Sequence, residues 1–463
     1  MTKLKAQGRE PAMHDCITVA HKLPHFDVTT DPEFLPCADG SIMVRTAGTV
    51  TLPVPSACPR CSSMMRLHAY ETVHIRDIPI FNAQHLLEVR YQRHRCSCCG
   101  AEVSQDIPFK TDGHFITDRY ARLVSRYLGY GMTNKTVHRL LGLNVHLVKA
   151  LDKGRLEGLY GKAPKTPSRY IAIDEISIHS HHRYATVVID LETGHVLFCE
   201  AGKRKQQVQH FIQYVGKQWL SKVVAVSMDM NAQYDSAFKE AAPHIQIVYD
   251  PFHLIKLYGD SVITKLRRRL QQEALEREDR ATYEELKGGR FILLSNRRTL
   301  EAQDSMAREN NRDLSENYER KGLQIPAGRR RQRTGKLSHL DRLMGVNKGL
   351  NVAYVLLEQF KLAYAVRDPL VLESGMHQWC HIARQSKIPE LLSFAATVEN
   401  HLQGIVNHAY HPISSGKLEG TNNLAKVIKR NAYGFVDDEY FFLKLMAASR
   451  RPYYKPRSPR FLH

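Results

Sequence analysis

Three carboxylates sit where phosphodiester chemistry would want them. Asp174 closes the apolar run Tyr170-Ile-Ala-Ile-Asp174, Asp229 follows Val223-Val-Ala-Val-Ser-Met228, and Glu419 lies in Ser414–Arg430, a stretch with helical spacing. Two-metal cleavage of a phosphodiester needs hard oxygen ligands that hold two Mg²⁺ ions roughly 4 Å apart, one carboxylate bridging and others flanking. Two adjacent central strands and a helix packed on their sheet can supply such a set. On that helix Glu419, Asn422, Asn423 and Lys426 fall at i, i+3, i+4 and i+7 and share a face. Leu424, Val427 and Ile428 form the opposite stripe, expected to pack on the sheet. A lone Asp at a strand end is usually a turn or cap residue, and Asp190 reads that way. The strand, strand, helix order sets the other three acids apart.

A second cluster, Tyr249-Asp-Pro-Phe-His-Leu-Ile-Lys256, follows another apolar run. Asp250 and His253 there either support a metal site and orient DNA, or cap a helix that begins near Pro251.

The other chemistry belongs to sulfur. Cys58-Pro-Arg-Cys61 and Cys96-Ser-Cys-Cys99 are two Cys-x-x-Cys knuckles with 34 residues between them. Cys58, Cys61, Cys96 and Cys99 can give Zn²⁺ the four thiolates of a tetrahedral site, which leaves no open position and therefore serves structure. Cys98, His68 and His94 are further candidate ligands, and buried free thiols are the competing reading. Between the knuckles, β-type pieces at Ala69 to Ile75 and Leu86 to Tyr91 would make a zinc ribbon.

The elements that must position these groups follow in order. Residues 1–50 show no strong periodicity, and 51–105 carry the cysteines among short β-runs. Within 111–155, Thr117 caps a helical stripe, and Thr133–Leu141, a Gly142 turn and Asn144–Leu151 have the form of a helix-turn-helix. Its second helix would present Asn144, His146 and Lys149 to a major groove. Residues 156–169, rich in Gly, Lys, Pro and Ser, read as a linker. Strand patterns then fall at Tyr170–Ile178, Tyr184–Asp190, His195–Ala201, Lys222–Met228 and Ile245–Tyr249, with helices near 206–220 and 234–241. From about 254 to 410 there is almost no strand signal. Arg267–Arg269 and Arg329–Arg331 mark basic faces or loops, and 451–463 form a basic, proline-rich tail.

Composition narrows the class of partner. The chain has 463 residues, enough for several domains, and 66 basic against 47 acidic residues give it a net charge of +19. Such an excess fits a polyanion, of which nucleic acid is the commonest. No run reaches the roughly 18 apolar residues of a membrane span, and the charged stretch Met1–Pro11 leads into no apolar signal core. Nine cysteines, mostly in one short region, fit reduced thiols and metal binding in the cytoplasm. Membrane proteins, secreted disulfide scaffolds and fibres are excluded.

In combination, the paired knuckles, the helix-turn-helix, Ile173-Asp-Glu175, Val226-Ser-Met-Asp-Met230, Asp250-Pro-Phe-His253, Leu418-Glu-Gly-Thr-Asn-Asn423 and Lys429-Arg-Asn-Ala-Tyr-Gly-Phe435 resemble the ISL-three family of insertion-sequence transposases. The resemblance runs over about residues 55–445. It implies an α/β RNase H-like catalytic core at 170–259 and 401–450, interrupted by an all-α insertion at 260–400. That insertion accounts for the 189 residues between Asp229 and Glu419. The implied acidic triad is Asp174, Asp229 and Glu419, binding Mg²⁺ or Mn²⁺, with Asp250 the alternative second acid. The implied partner is double-stranded DNA, namely terminal inverted repeats and target, bound by a homodimer or higher oligomer at the bacterial nucleoid. Asn422, Lys426, Lys429 and Arg430 would contact its phosphates. The competing reading is a domesticated regulator that binds DNA without cleaving it.

Overall fold

The structure, a computed structural model, describes residues 22–38, 40–80, 83–179, 183–326 and 332–450. Met1–Pro11, the Arg329–Arg331 run and the tail 451–463 lie outside the described residues. The chain divides into two compact units at Gly161/Lys162.

The first unit opens with a six-stranded sheet. Its strands are β1 (Phe26–Val28), β2 (Glu33–Pro36), β3 (Ile42–Val50), β4 (Met65–Ile80), β5 (Ala83–Cys96) and β6 (Glu102–Ser104). β4 and β5 form a long antiparallel ribbon, β3 lies parallel to β5, and β1 and β2 pair with β3. Three strands therefore fall in 1–50, the stretch read as lacking periodicity, and no boundary separates them from the ribbon. The signal was hidden because two of the four inward positions of β3 are Thr46 and Gly48, between Val44 and Val50. Gly48 is there for space: a Cβ would meet the Phe26 ring at 2.4 Å.

Three helices complete this unit, Asp118–Gly129, Asn134–Leu141 and Val145–Tyr160, with N-caps Thr117, Thr133 and Asn144. Gly142 ends the second at φ 62°, the left-handed region that favours glycine. Tyr120, Val124, Leu128, Val137, Leu141, Leu143 and Val148 form their core. Buried Asp77 of β4 anchors the first helix by accepting from Thr117 Oγ1 at 2.6 Å and Arg119 Nε at 2.8 Å. The third helix runs to Tyr160, with Leu156 buried, so its apolar spacing carries it past 156, where the linker was expected to start.

The second unit is built on strands β7 (Tyr170–His179), β8 (Arg183–Asp190), β9 (Val196–Ala201), β10 (Ala225–Met228) and β11 (Gln246–Tyr249), in sheet order β11-β10-β7-β8-β9. β7, β8 and β9 are antiparallel, whereas β7, β10 and β11 are parallel. The central strands are covered on both faces and read as continuous apolar runs for that reason. Ile171 and Ile173 share a core with Phe211 and Phe238 from helices Lys205–Leu220 and Ala232–Ala241. Helices Gly416–Asn431 and Asp438–Ser449 pack against β7 and β9.

Between them the chain is helical from Pro251 to Tyr410, apart from short connections and the undescribed 327–331. An aromatic cluster of Tyr258, Phe360, Trp379 and Phe394, with ring centroids 4.9–6.1 Å apart, holds this block together. It also covers the β11 edge. Tyr364 Oη donates to the Tyr249 carbonyl at 2.7 Å, Asn407 Nδ2 donates to the Ile247 carbonyl at 2.8 Å, and Gly404 lies against the Tyr249 ring. Edge carbonyls that would otherwise invite another chain are satisfied internally.

Candidate active site and metal centre

Strand register brings two of the acids side by side. Ala225 pairs with Tyr170 and Ser227 with Ala172, so the same register carried two residues further sets Asp229 opposite Asp174. Met228 pairs with Tyr249, and one more step sets Asp250 beyond Asp229. Asp229 and Asp250 thus follow the ends of β10 and β11, whereas Asp174, expected to close its strand, lies in the middle of β7, which runs on to His179 because it keeps pairing with β8. His253 stands among them, its Nδ1 3.3 Å from Asp229 Oδ2 and its Nε2 3.9 Å from Asp250 Oδ2.

Electrostatics distinguish the three. Burial pushes the Asp174 carboxyl above its ordinary value, and the nearby Asp229 charge adds to this. The hydrogen bond from His253 lowers Asp229, and the same bond raises His253, so the two favour an ion pair. Asp250 is 3% exposed and its oxygens are taken: Oδ1 accepts from Phe252 N at 3.3 Å, and Oδ2 accepts from Ser415 Oγ. It caps helix Pro251–Tyr258, with Pro at the first helical position.

Glu419 arrives from the returning helix, which Lys417 and Lys429 fasten down. Lys417 Nζ donates to the Leu191 and Glu192 carbonyls at 2.6 and 2.7 Å, and Lys429 Nζ to the Ser177 carbonyl of β7 at 2.9 Å. The buried face of this helix is Leu418, Thr421 and Ala425. The expected stripe of Leu424, Val427 and Ile428 is not that face, and Val427 is 42% exposed. Small residues at 421 and 425 let the helix lie close to β7 and bring Asn422 within hydrogen-bonding reach of Asp174. Asn422 Oδ1 is buried and has no hydrogen-bond partner. Glu419 itself is exposed. Among the described residues only the four cysteines gather three or more potential ligand atoms within 4.8 Å of one another, so the three acids are not drawn together that closely.

The cysteines are. Cys58 Sγ lies 3.6 Å from Cys99 Sγ, and Cys61 Sγ 3.5 Å from Cys96 Sγ. A tetrahedron with Zn–S bonds of about 2.3 Å has edges of about 3.8 Å, so the donor set and its spacing fit structural Zn²⁺. The backbone N–H groups of Arg60 and Cys98 donate to the sulfurs of Cys58 and Cys96 at 3.4 Å. The Ser63 hydroxyl and N–H hold the Cys61 thiol down at about 6, close to the thiolate a metal requires. Cys98 contributes its N–H, not its sulfur, to the cluster. His94 bonds Gln92 at 2.9 Å, and His68 lies 3.9 Å from Glu102.

Comparison with known proteins bears on the chain's family and on its zinc ribbon. A transposase family model of the DDE, ISL3 type matches residues 171–445, more than half of the chain. The chain belongs to the ISL3 (ISL-three) family of transposases. The zinc finger of the transposases of IS204, IS1001, IS1096 and IS1165 matches residues 55–99 of this transposase. It is 31% identical over 392 residues to the transposase for insertion sequence element IS1001 of Bordetella parapertussis, covering 84% of this chain and 88% of that protein. It is 25% identical over 288 residues to the transposase for insertion sequence element IS1557 of Mycobacterium tuberculosis, covering 58% and 57%.

Other residues of this transposase take positions that spacing did not reveal. Asn144 Oδ1 accepts from His146 N at 2.8 Å and so caps its own helix, while His146 is exposed and Lys149 half-buried. Lys426 and Arg430 are exposed, whereas Lys429 is half-buried against β7. Glu175, next to Asp174, accepts from Tyr234 Oη at 3.2 Å and Asn231 Nδ2 at 3.5 Å, and burial raises its carboxyl. Its signal was alternation: neighbours on a strand face opposite sides. Among the described residues no helix is long and apolar enough to cross a membrane.

Proposed function

We propose that this chain is a DNA transposase whose RNase H-like core cleaves and joins DNA strands with Asp174, Asp229 and Glu419 as ligands for two Mg²⁺ or Mn²⁺ ions. One observation carries this reading: the register of β10 on β7 brings Asp229 alongside Asp174, and the unpartnered buried oxygen of Asn422 lies beside them on the helix that bears Glu419. Partly desolvated carboxylate and amide oxygens of this kind are hard ligands that suit a divalent cation. When bound, such ions supply the Lewis acidity that activates water or a 3′-hydroxyl and stabilises the leaving oxygen.

The chain's own residues prepare the site. His253 keeps Asp229 ionised and oriented, the Asn422 amide steadies Asp174, and Lys417 and Lys429 fix the helix that presents Glu419. Asp250 acts as the cap that positions His253, and Asp229 is the second acid. Lys426 and Arg430 meet DNA phosphates from the exposed side of that helix, with Asn422 and Lys429 nearer the sheet. In the first unit, the ribbon and the helix-turn-helix recognise the terminal inverted repeats, with His146, Lys149 and the free amide end of Asn144 toward the major groove. Joining two element ends calls for at least a dimer on DNA.

The test is incubation of the full chain with labelled duplex carrying its element's ends, in Mg²⁺ or in EDTA. Metal-dependent nicks at the element boundary that vanish in Asp174→Ala are expected. Cleavage by Asp174→Ala at the unaltered rate would remove the catalytic assignment.

A further inference from the structure

At the far end of the β4–β5 ribbon, next to the cysteine cluster, Arg66 and Arg95 stand directly opposite one another in the antiparallel ladder. Directly opposed side chains have Cβ atoms about 4.5–5.5 Å apart, and like charges placed so destabilise the pairing. Both arginines are exposed, and among the described residues neither has a carboxylate within 4.0 Å. The acids that could have answered them are committed elsewhere. Glu102, opposite Arg95 on β6, lies 3.5 Å from Arg93 Nε and 3.9 Å from His68 Nε2. Glu71 takes Arg93 Nη1 at 2.9 Å and the Tyr91 hydroxyl at 2.7 Å. The two unanswered guanidinium groups, with His68 and Ser97, line a cavity of about 440 Å³.

We infer that Arg66 and Arg95 are a two-pronged clamp for a backbone phosphodiester of duplex DNA. A guanidinium is a rigid fork of donors that fits phosphate oxygens, and two of them closing on one anion turn their mutual repulsion into attraction. Paired antiparallel strands with exposed side chains can approach a duplex groove or its flanking backbone. The clamp carries no sequence information. It sets register, which any base-reading side chains elsewhere then use. The inference rests on the reading of the first unit as a DNA-binding unit. The competing role is counter-charge for the thiolates of the zinc site, because Arg95 precedes Cys96.

The experiment measures affinity for a fluorescent duplex of arbitrary sequence across a range of salt, using the zinc-loaded full chain. Each phosphate contact adds about 0.9 to the slope of log K against log salt. Arg66→Ala/Arg95→Ala should flatten that slope by about 0.9, the loss of one phosphate contact, weaken binding equally on unrelated duplexes, and keep one zinc per chain. Arg66→Lys/Arg95→Lys should restore most of the slope, because a phosphate also accepts a point charge. An unaltered slope with zinc retained overturns the clamp, and zinc loss in the alanine variant overturns it in favour of the counter-charge role. An unsubstituted chain with no salt-dependent binding at all overturns both the clamp and the reading beneath it.

Discussion

The two candidate metal sites are organised in opposite ways. The four sulfurs are gathered from two knuckles joined by one ribbon and already stand at tetrahedral spacing. The three carboxylates come from two strands and a distant helix, and they keep apart. Thiols hydrogen-bond to one another and to backbone N–H groups, so the cysteine pocket can close on itself. Carboxylates repel, and Asp174 bears that repulsion together with burial. A structural metal site is a part of the fold, whereas a catalytic one is held open against its own electrostatics. Loss of a ligand should therefore have opposite consequences for stability at the two sites.

Removing zinc makes the largest expected change. The ribbon end has only a small apolar core of Cys58, Met65 and Cys96 with Ala101 and Val103 around it, too little to fold alone. Structural zinc binds with an apparent free energy of about 10–16 kcal/mol, comparable to the stability of a whole domain. Cys96→Ser, or chelation, should release the metal and open the chain near both knuckles to protease, while the helical core around Tyr120 and Val124 stays protected. Cys98→Ser should keep one zinc per chain, as metal analysis would report. Equal zinc loss in both variants would erase the distinction between the sulfur of Cys98 and the other four.

Asp174→Asn should act the other way. Loss of one hard ligand is expected to lower metal-dependent cleavage on the order of 10³-fold, the equivalent of several kcal/mol of transition-state stabilisation. Without metal the same change should raise the unfolding midpoint by about 2–4 °C, roughly the effect of 1 kcal/mol. The sign follows from the raised carboxyl: burial disfavours the charged form of Asp174 in the folded chain, a penalty that a neutral amide does not bear. A lowered midpoint would mean that Asp174 holds the fold together much as the cysteines do.

These contrasts also explain what was legible in sequence. The knuckles and the strands of 170–249 could be read because local spacing specifies them, but Asp174, read as a strand end, lies inside β7 because pairing with β8 continues beyond it. Features decided by packing between distant segments could not be read. The inward face of the Glu419 helix depends on how closely Thr421 and Ala425 approach β7, and β3 hides behind Thr46 and Gly48. Coverage of the β11 edge depends on residues about 115 and 160 positions further along, Tyr364 and Asn407. Gly404→Ala tests that coverage, since its Cβ would meet the Tyr249 ring at 2.4 Å. Overpacking of this kind costs about 1–3 kcal/mol. Thermal unfolding should show that loss in the second unit, with zinc content unaltered, and a neutral outcome would show that the helical block yields easily at this seam.

The smallest effect comes from a carboxylate that is fully answered. Asp77 is 1% exposed, and burial alone would push its carboxyl up. Hydrogen bonds from Arg119, His85 and Thr117 outweigh this and hold it well below the usual carboxylate range, the reverse of Asp174. A depressed folded value contributes stability that is complete above the ordinary aspartate value near 3.9 and is lost as pH falls below it. Between pH 5 and pH 3 the first unit should therefore lose about 1 kcal/mol that an Asp77→Asn variant, less stable at neutral pH, does not lose. Denaturant unfolding of both proteins at the two pH values would show the curves converging in acid. Parallel curves would place the acid sensitivity of this unit elsewhere, and Asp77 would no longer serve as the counterpart to Asp174.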